Sequence, residues 1–136
     1  MKVTLDKGAK MPTKAHEADA GYDLYARETK IVPSNWATVF DTGVHIEIPV
    51  GYVGFIKSKS GLNIFHGLTS DGVIDAGYTG SIRVKLYNHS VNDYTVEAGD
   101  KISQLVILPI STETLELVDS LTETERGNNG FGSSGK

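Results

Sequence analysis

Asp75 closes a short apolar run, Val73-Ile74, and precedes Ala76-Gly77. A carboxylate in that place can be held rigidly and partly shielded, the setting in which it orients a nucleophile and draws off its proton. By spacing alone, an aspartate there is more often a turn residue. Tyr78, three positions on, reads by itself as a half-buried strand aromatic. Ser60, with the N–H groups of Gly61 and Leu62, can open a short helix, and helix N-termini accept anions. Gln104 reads as a strand glutamine facing solvent until the preceding Gly99-Asp100-Lys101 turn is considered with it. From Arg126 to Lys136 the chain runs RGNNGFGSSGK, glycine, asparagine and serine around a single apolar residue, Phe131. Such a segment buries too little to order itself, and fraying is the usual fate of chain ends. Its glycine N–H groups, serine hydroxyls and arginine fork would nonetheless suit an anion.

The elements that must position these residues are strands. Val44, Ile46 and Ile48 alternate with His45 and Glu47, and Ile82, Val84 and Leu86 alternate with Ser81, Arg83 and Lys85. Period two gives a strand one buried and one solvated side. Further strands are expected over Val3–Leu5, Tyr22–Ala26, Thr29–Val32, Ala37–Thr42, Tyr52–Ser58, Tyr94–Val96, Ile102–Ile110 and Leu115–Val118. Ile102–Ile110 is apolar at nearly every position after Gln104, as suits a strand covered on both sides. The best helical stretch is Ser60 to His66, with Leu62 and Phe65 on one side. Many short strands and almost no helix predict an antiparallel sandwich, jelly roll or distorted barrel.

Composition narrows the chemistry. At 136 residues the chain makes one domain that folds without staples, and without cysteine it has no disulfide, thiolate metal site or thiol nucleophile. The four histidines, His16, His45, His66 and His89, show no ligand spacing, so a protein-built zinc or iron site is not expected. The net charge of −4 argues against non-specific binding to nucleic acid, while leaving room for a small phosphorylated ligand. No apolar run approaches the ~20 residues of a membrane span, and Met1 to Lys10 lacks the apolar core of a signal peptide. A cytoplasmic location is therefore expected, or the place where DNA precursors are made in the host cell if the source is viral.

Five segments recur in a telling order: Ala18-Asp19-Ala20-Gly21-Tyr22-Asp23-Leu24, Lys59-Ser60-Gly61-Leu62, Gly72-Val73-Ile74-Asp75-Ala76-Gly77-Tyr78, Gly99-Asp100-Lys101-Ile102-Ser103-Gln104-Leu105, and the tail. Together they resemble the trimeric deoxyuridine triphosphatases (dUTPases), which split dUTP into dUMP and pyrophosphate. The resemblance runs from about Ala18 to Gly135. It implies an all-β fold, a distorted antiparallel jelly-roll barrel over residues 1–125, with a flexible glycine-rich arm over 126–136 that closes the active site. It also implies a homotrimer with exchange of the C-terminal arm, and a role in removing dUTP and supplying dUMP for thymidylate synthesis.

By the same resemblance Asp75 activates the water that attacks the α-phosphorus, and the Tyr78 ring lies under the deoxyribose, leaving no room for a 2′-hydroxyl. A hairpin from Leu68 to Arg83, including Thr69 and Gly72, reads uracil chiefly through its backbone. Lys59, Ser60, Gly61 and Gln104 bind phosphates. Arg126, Gly132, Ser133 and Ser134 close over the γ-phosphate, with Phe131 stacked on the base. Ordering that tail costs about 1–2 kcal/mol per residue, so a ligand must offer both triphosphate and ring to close it. Mg²⁺ is expected to arrive with the nucleotide, with no direct protein ligand and Asp23 in an outer-shell role. Each site would combine three chains: Asp75 and its hairpin from one, Ser60 and Gln104 from a second, the tail from a third.

The sequence departs from relatives at Lys59, generally arginine and here without the bidentate fork, at Asn129, usually glycine, and at Thr69, often asparagine. Two other activities compete. A dCTP deaminase shares the fold but would need a glutamate base where this chain has Gly72-Val73-Ile74-Asp75. A nucleotide-binding regulator could use the same pocket as a switch toward a protein partner.

Overall fold

The computed structural model describes residues 1–130. Its elements run β1 (Val3–Leu5), β2 (Gly21–Tyr25), β3 (Lys30–Val32), β4 (Ala37–Asp41), β5 (Val44–Ile46) and β6 (Tyr52–Lys57). Then follow α1 (Ser60–His66), β7 (Leu68–Thr69), β8 (Asp71–Ile74), β9 (Arg83–Asn88), β10 (Tyr94–Val96) and β11 (Lys101–Pro109). All the pairings are antiparallel: a four-stranded sheet β2-β11-β6-β8, a three-stranded sheet β4-β9-β7, and the pairs β1-β5 and β10-β3. The antiparallel all-β architecture expected from the alternation is observed, in keeping with the distorted jelly-roll barrel that the resemblance implies.

Alternation sets the inner wall. In β9, Val84, Leu86 and Asn88 are buried, while Arg83, Lys85 and Tyr87 face out. Leu24, Phe40, Ile56, Leu68, Ile82 and Leu105 join them in one core, each fully buried. Each such side chain contributes about 1.5–3 kcal/mol relative to exposure. The buried Asn88 amide donates to the Val32 and Asn92 carbonyls at 2.9 and 2.8 Å, so its polar head is satisfied inside the core.

Three expectations need correction. No strand forms over Leu115–Val118; Leu115 and Leu117 are fully exposed, because the described chain offers that stretch no strand to pair with. The apolar β11 is covered on one side only, leaving Leu108 and the following Ile110 about half exposed. Across its outer face Val106 stands opposite Phe55, and Phe55 opposite Val73, a row of apolar side chains that nothing among the described residues fully covers. In α1 Leu62 packs on the core, but Phe65 is exposed rather than sharing the packed side.

Candidate active site

At one corner of the four-stranded sheet Asp23 faces Gln104, and Gln104 faces Lys57. Asp23 is buried, and two ammonium groups divide its carboxylate: Lys59 on Oδ1, and Lys101 on Oδ2 at 2.7 Å. Burial pushes the Asp23 carboxyl up, but hydrogen bonds from Lys101 and Lys59 outweigh it and hold the pKa below the ordinary value. The same bond raises the pKa of Lys101. Lys59 is also the residue before α1, with extended backbone and no side-chain cap. The exposed Ser60 and the first N–H groups of this helix therefore open beside two cations. Gln104, read from its spacing as solvent-facing, is part-buried and donates one amide N–H to the Ser58 carbonyl at 3.0 Å, bracing the entry to α1.

Serines behind this corner lock it. The Ser70 and Ser103 hydroxyls meet at 2.9 Å, Ser103 donates to the Lys57 carbonyl at 2.8 Å, and Ser58 donates to the Ser70 carbonyl at 3.1 Å. Buried hydroxyls must find partners, and here they satisfy one another while joining β6, β11 and the segment between β7 and β8. Sequence reasoning passed over Ser58, Ser70 and Lys101. Lys101 alone carried a signal, as the cation of the Gly99-Asp100-Lys101 turn that precedes Gln104.

The second corner is the turn after β8. The Tyr78 N–H donates to the Asp75 carbonyl at 3.2 Å, with Gly77 at φ 88°. That left-handed position strains any side chain, which accounts for the glycine. Asp75 is exposed, so the described residues do not supply the partial shielding expected of it, and among them its carboxylate makes no hydrogen bond or ion pair. Tyr78 lies in the turn rather than on a strand. Its hydroxyl donates to the Ser81 carbonyl at 3.0 Å, folding the ring back over Gly80. Beyond it the loop is pinned: Ile82 N–H to the Val44 carbonyl at 2.8 Å, and the Thr42 hydroxyl to the Ile82 carbonyl at 2.7 Å.

The Leu68–Arg83 segment is not a hairpin whose arms pair with each other. β7 joins β9, β8 joins β6, and the chain returns to β9, so the segment bridges the two larger sheets. Thr69 holds its hydroxyl at 2.8 Å from His89 Nε2, and Gly72 lies opposite Ile56 within β8. Arg83 opens β9 opposite Asp41, exposed. Arg126 donates from Nε to the Asn129 carbonyl at 3.0 Å, an exposed local turn. Phe131, Gly132, Ser133 and Ser134 lie outside the described residues.

The two corners do not meet within one chain. Gln104 sits two strands from Asp71 through Lys57, and Asp75 is four residues beyond Asp71. Two strand spacings, about 10 Å, and four residues of rise, about 13 Å, put Asp75 and Gln104 roughly 16 Å apart along the sheet. One phosphate cannot touch both.

Among the described residues no group of three or more His, Asp or Glu side chains is arranged to hold a metal ion. Asp23 is the buried carboxylate at the cationic corner, and both of its oxygens already accept from ammonium groups. With both oxygens engaged by ammonium groups, Asp23 could serve a hard cation carried on phosphates by ordering the lysines and waters beside it.

Comparison with known proteins agrees with the geometry. The dUTPase family model matches residues 7–135. The deoxyuridine 5′-triphosphate nucleotidohydrolase of Kluyveromyces lactis is 41% identical over 100% of this chain and 94% of its own length. The dUTPase of Staphylococcus bacteriophage 80alpha, solved with dUPNHPP, superposes with a TM-score of 0.94 at 35% identity, over 99% of this chain and 98% of the phage chain. A mutant dUTPase from phage phi11 of S. aureus, described for its coordination of a structural Mg(II) ion, superposes with a TM-score of 0.84 at 31% identity, over 90% of this chain and 98% of that one. With a family match over residues 7–135 and a relative 41% identical across the whole chain, the chain belongs to the dUTPase family.

Proposed function

We propose that this chain hydrolyses dUTP to dUMP and pyrophosphate. A water oxygen attacks the α-phosphorus while Asp75 takes a proton from it; the bond between the α-phosphorus and the bridging oxygen breaks, and pyrophosphate leaves with that oxygen. The observation that carries this reading is the free Asp75 carboxylate at the tip of a turn whose Tyr78 ring is locked in place three residues away. A general base needs an unoccupied acceptor at the reacting atom, and a fixed ring beside it can exclude a 2′-hydroxyl by contact.

Uracil is read by backbone groups of the Leu68–Arg83 segment, with Thr69 and Gly72 lining it; cytosine leaves those groups unpaired, and thymine's methyl does not fit. Lys59, Ser60, the Gly61 N–H and Gln104 bind the phosphates. Arg126, Gly132, Ser133 and Ser134 close on the γ-phosphate, and Phe131 covers the base. Mg²⁺, when bound, neutralises phosphate charge, and Asp23 orders the ammonium groups and waters next to it.

A homotrimer completes the site. Two observations support it: the roughly 16 Å between Asp75 and Gln104 within one chain, and the bare Leu115 and Leu117 of a would-be strand that has no partner among the described residues. A neighbour's Ser60 and Gln104 then face this chain's Asp75, and the exchanged arm of a third chain seals the cleft. The deciding experiment is pyrophosphate release from dUTP, dTTP, dCTP and UTP in parallel, with and without Mg²⁺. Release from dUTP alone, lost on chelation, is expected; release of ammonia from dCTP would point to a deaminase, and an intact dUTP would leave only a nucleotide binder.

A further inference from the structure

We infer that His45 is a positioning residue for the Tyr78 turn, holding it through the Thr79 carbonyl and holding it fully only while both ring nitrogens carry protons. His45 sits on β5 opposite Thr4 of β1. Its Nδ1 lies 2.8 Å from the Thr79 carbonyl oxygen and its Nε2 lies 3.3 Å from Asp6 Oδ1. A carbonyl oxygen and a carboxylate are both acceptors, whereas a neutral imidazole has one N–H to give. Both contacts are hydrogen bonds only for the imidazolium.

The charges around the ring favour that cation. Asp6 faces it from the loop after β1, and Asp41 from the end of β4. Arg27, following β2, bridges the two carboxylates at 3.1 and 3.4 Å. Lys2 and Glu47 neutralise each other at 3.1 Å beside the same strands. The bond to Thr79 raises the His45 pKa, partial burial opposes it, and Asp6 and Asp41 add to the rise.

His45 is the titrating anchor among several that hold this loop. Ser81 donates its hydroxyl to Asp41, and Gly43 N–H donates to Ser81 Oγ at 3.1 Å. Those contacts and the Ile82 bonds fix the far end of the loop without a proton being gained or lost near neutrality. A neutral ring gives up one of the two bonds: without the Nδ1 proton it releases the Thr79 carbonyl, and without the Nε2 proton it loses the Asp6 tether that steadies it. Thr79 adjoins Tyr78, so either loss loosens the ring whose placement sets the choice of sugar. The enzymatic consequence rests on the dUTPase reading proposed above: discrimination between dUTP and UTP falls as pH rises through the His45 pKa.

The test is the ratio of kcat/KM for dUTP to that for UTP, measured against pH. Groups that act alike on both substrates, Asp75 and the phosphate ligands, cancel in the ratio. The wild-type ratio should fall about fivefold across the His45 titration, the worth of one hydrogen bond. Asp6→Asn should move the fall to lower pH, and His45→Gln should give a flat profile. A His45→Gln profile that superimposes on wild type overturns the inference. In parallel, NMR of the nucleotide-free protein should show the Thr79 and Gly80 amides titrating with the midpoint of the His45 ring, and amides that ignore the ring overturn it as well. If wild type leaves dUTP intact while those amides follow the ring, the catalytic reading fails and the positioning role stands.

Discussion

The Tyr78 ring lies so close over Gly80 that a β-carbon added there would stand 2.5 Å from the tyrosine hydroxyl oxygen. Gly80 is thus the floor on which the ring rests. Gly80→Ala has to move the ring while leaving the core untouched. The expected outcome is an unchanged melting temperature with the preference for dUTP over UTP reduced on the order of tenfold, the effect of a sub-ångström misplacement at a reacting site. An unchanged substrate ratio would detach Tyr78 from sugar selection.

Asp75→Asn keeps the shape of the turn, whose bond to Tyr78 uses the backbone carbonyl of residue 75 and not its side chain. It removes the base. Turnover of dUTP should drop by roughly 10²–10⁴, the usual contribution of a positioned general base, with binding of a non-hydrolysable analogue nearly unchanged. Rapid-quench assay beside isothermal titration calorimetry separates the two, and near-normal turnover would remove Asp75 from the mechanism.

Asp23 is a stability element with a definite pH signature. Its folded pKa lies below the ordinary 3.8, so the stabilisation it gives is present above that value and is lost as pH falls through the folded pKa. Asp23→Asn should cost about 2 kcal/mol at neutral pH. That is less than breaking a fully buried pair, because the Lys59 and Lys101 heads reach solvent. Urea melts at neutral pH and in increasingly acid buffer test this: the gap between variant and wild type should close as pH falls through the folded pKa, and a constant gap would contradict the assignment.

Leu115 and Leu117 alternate along a stretch that pairs with nothing among the described residues. The double change Leu115→Asp and Leu117→Asp should turn a trimer into slower-sedimenting species, with the β-barrel circular dichroism retained. Wild type sedimenting as a monomer would contradict the trimer, and the variant as an intact trimer would remove Leu115 and Leu117 from its interface.

Much of this was legible in the residues themselves. The alternation in Ile82–Leu86 marks β9 because only period two puts Val84 and Leu86 on one wall. The turn at Ala76-Gly77 is written in its glycine. Less legible were features that depend on what stands opposite. Asp23 shows no sign in sequence of being gripped by Lys59 and Lys101, which lie 36 and 78 positions away along the chain. The apolar run of β11 suggests burial on both sides, yet sequence is silent on whether the second cover comes from the same chain. Leu115–Val118 carries strand propensity that finds no partner among the described residues, and a strand exists only with a partner.

The distance between Asp75 and Gln104 has a genetic corollary. If each cleft borrows its corners from different chains, a protein crippled at Asp75 and another crippled at Gln104 can rescue one another: co-expressed, they assemble mixed rings in which some clefts inherit both intact residues. Activity should reappear from two dead parents and peak when they are supplied in equal amounts. Mixtures that stay silent at every ratio would mean that both corners come from a single copy.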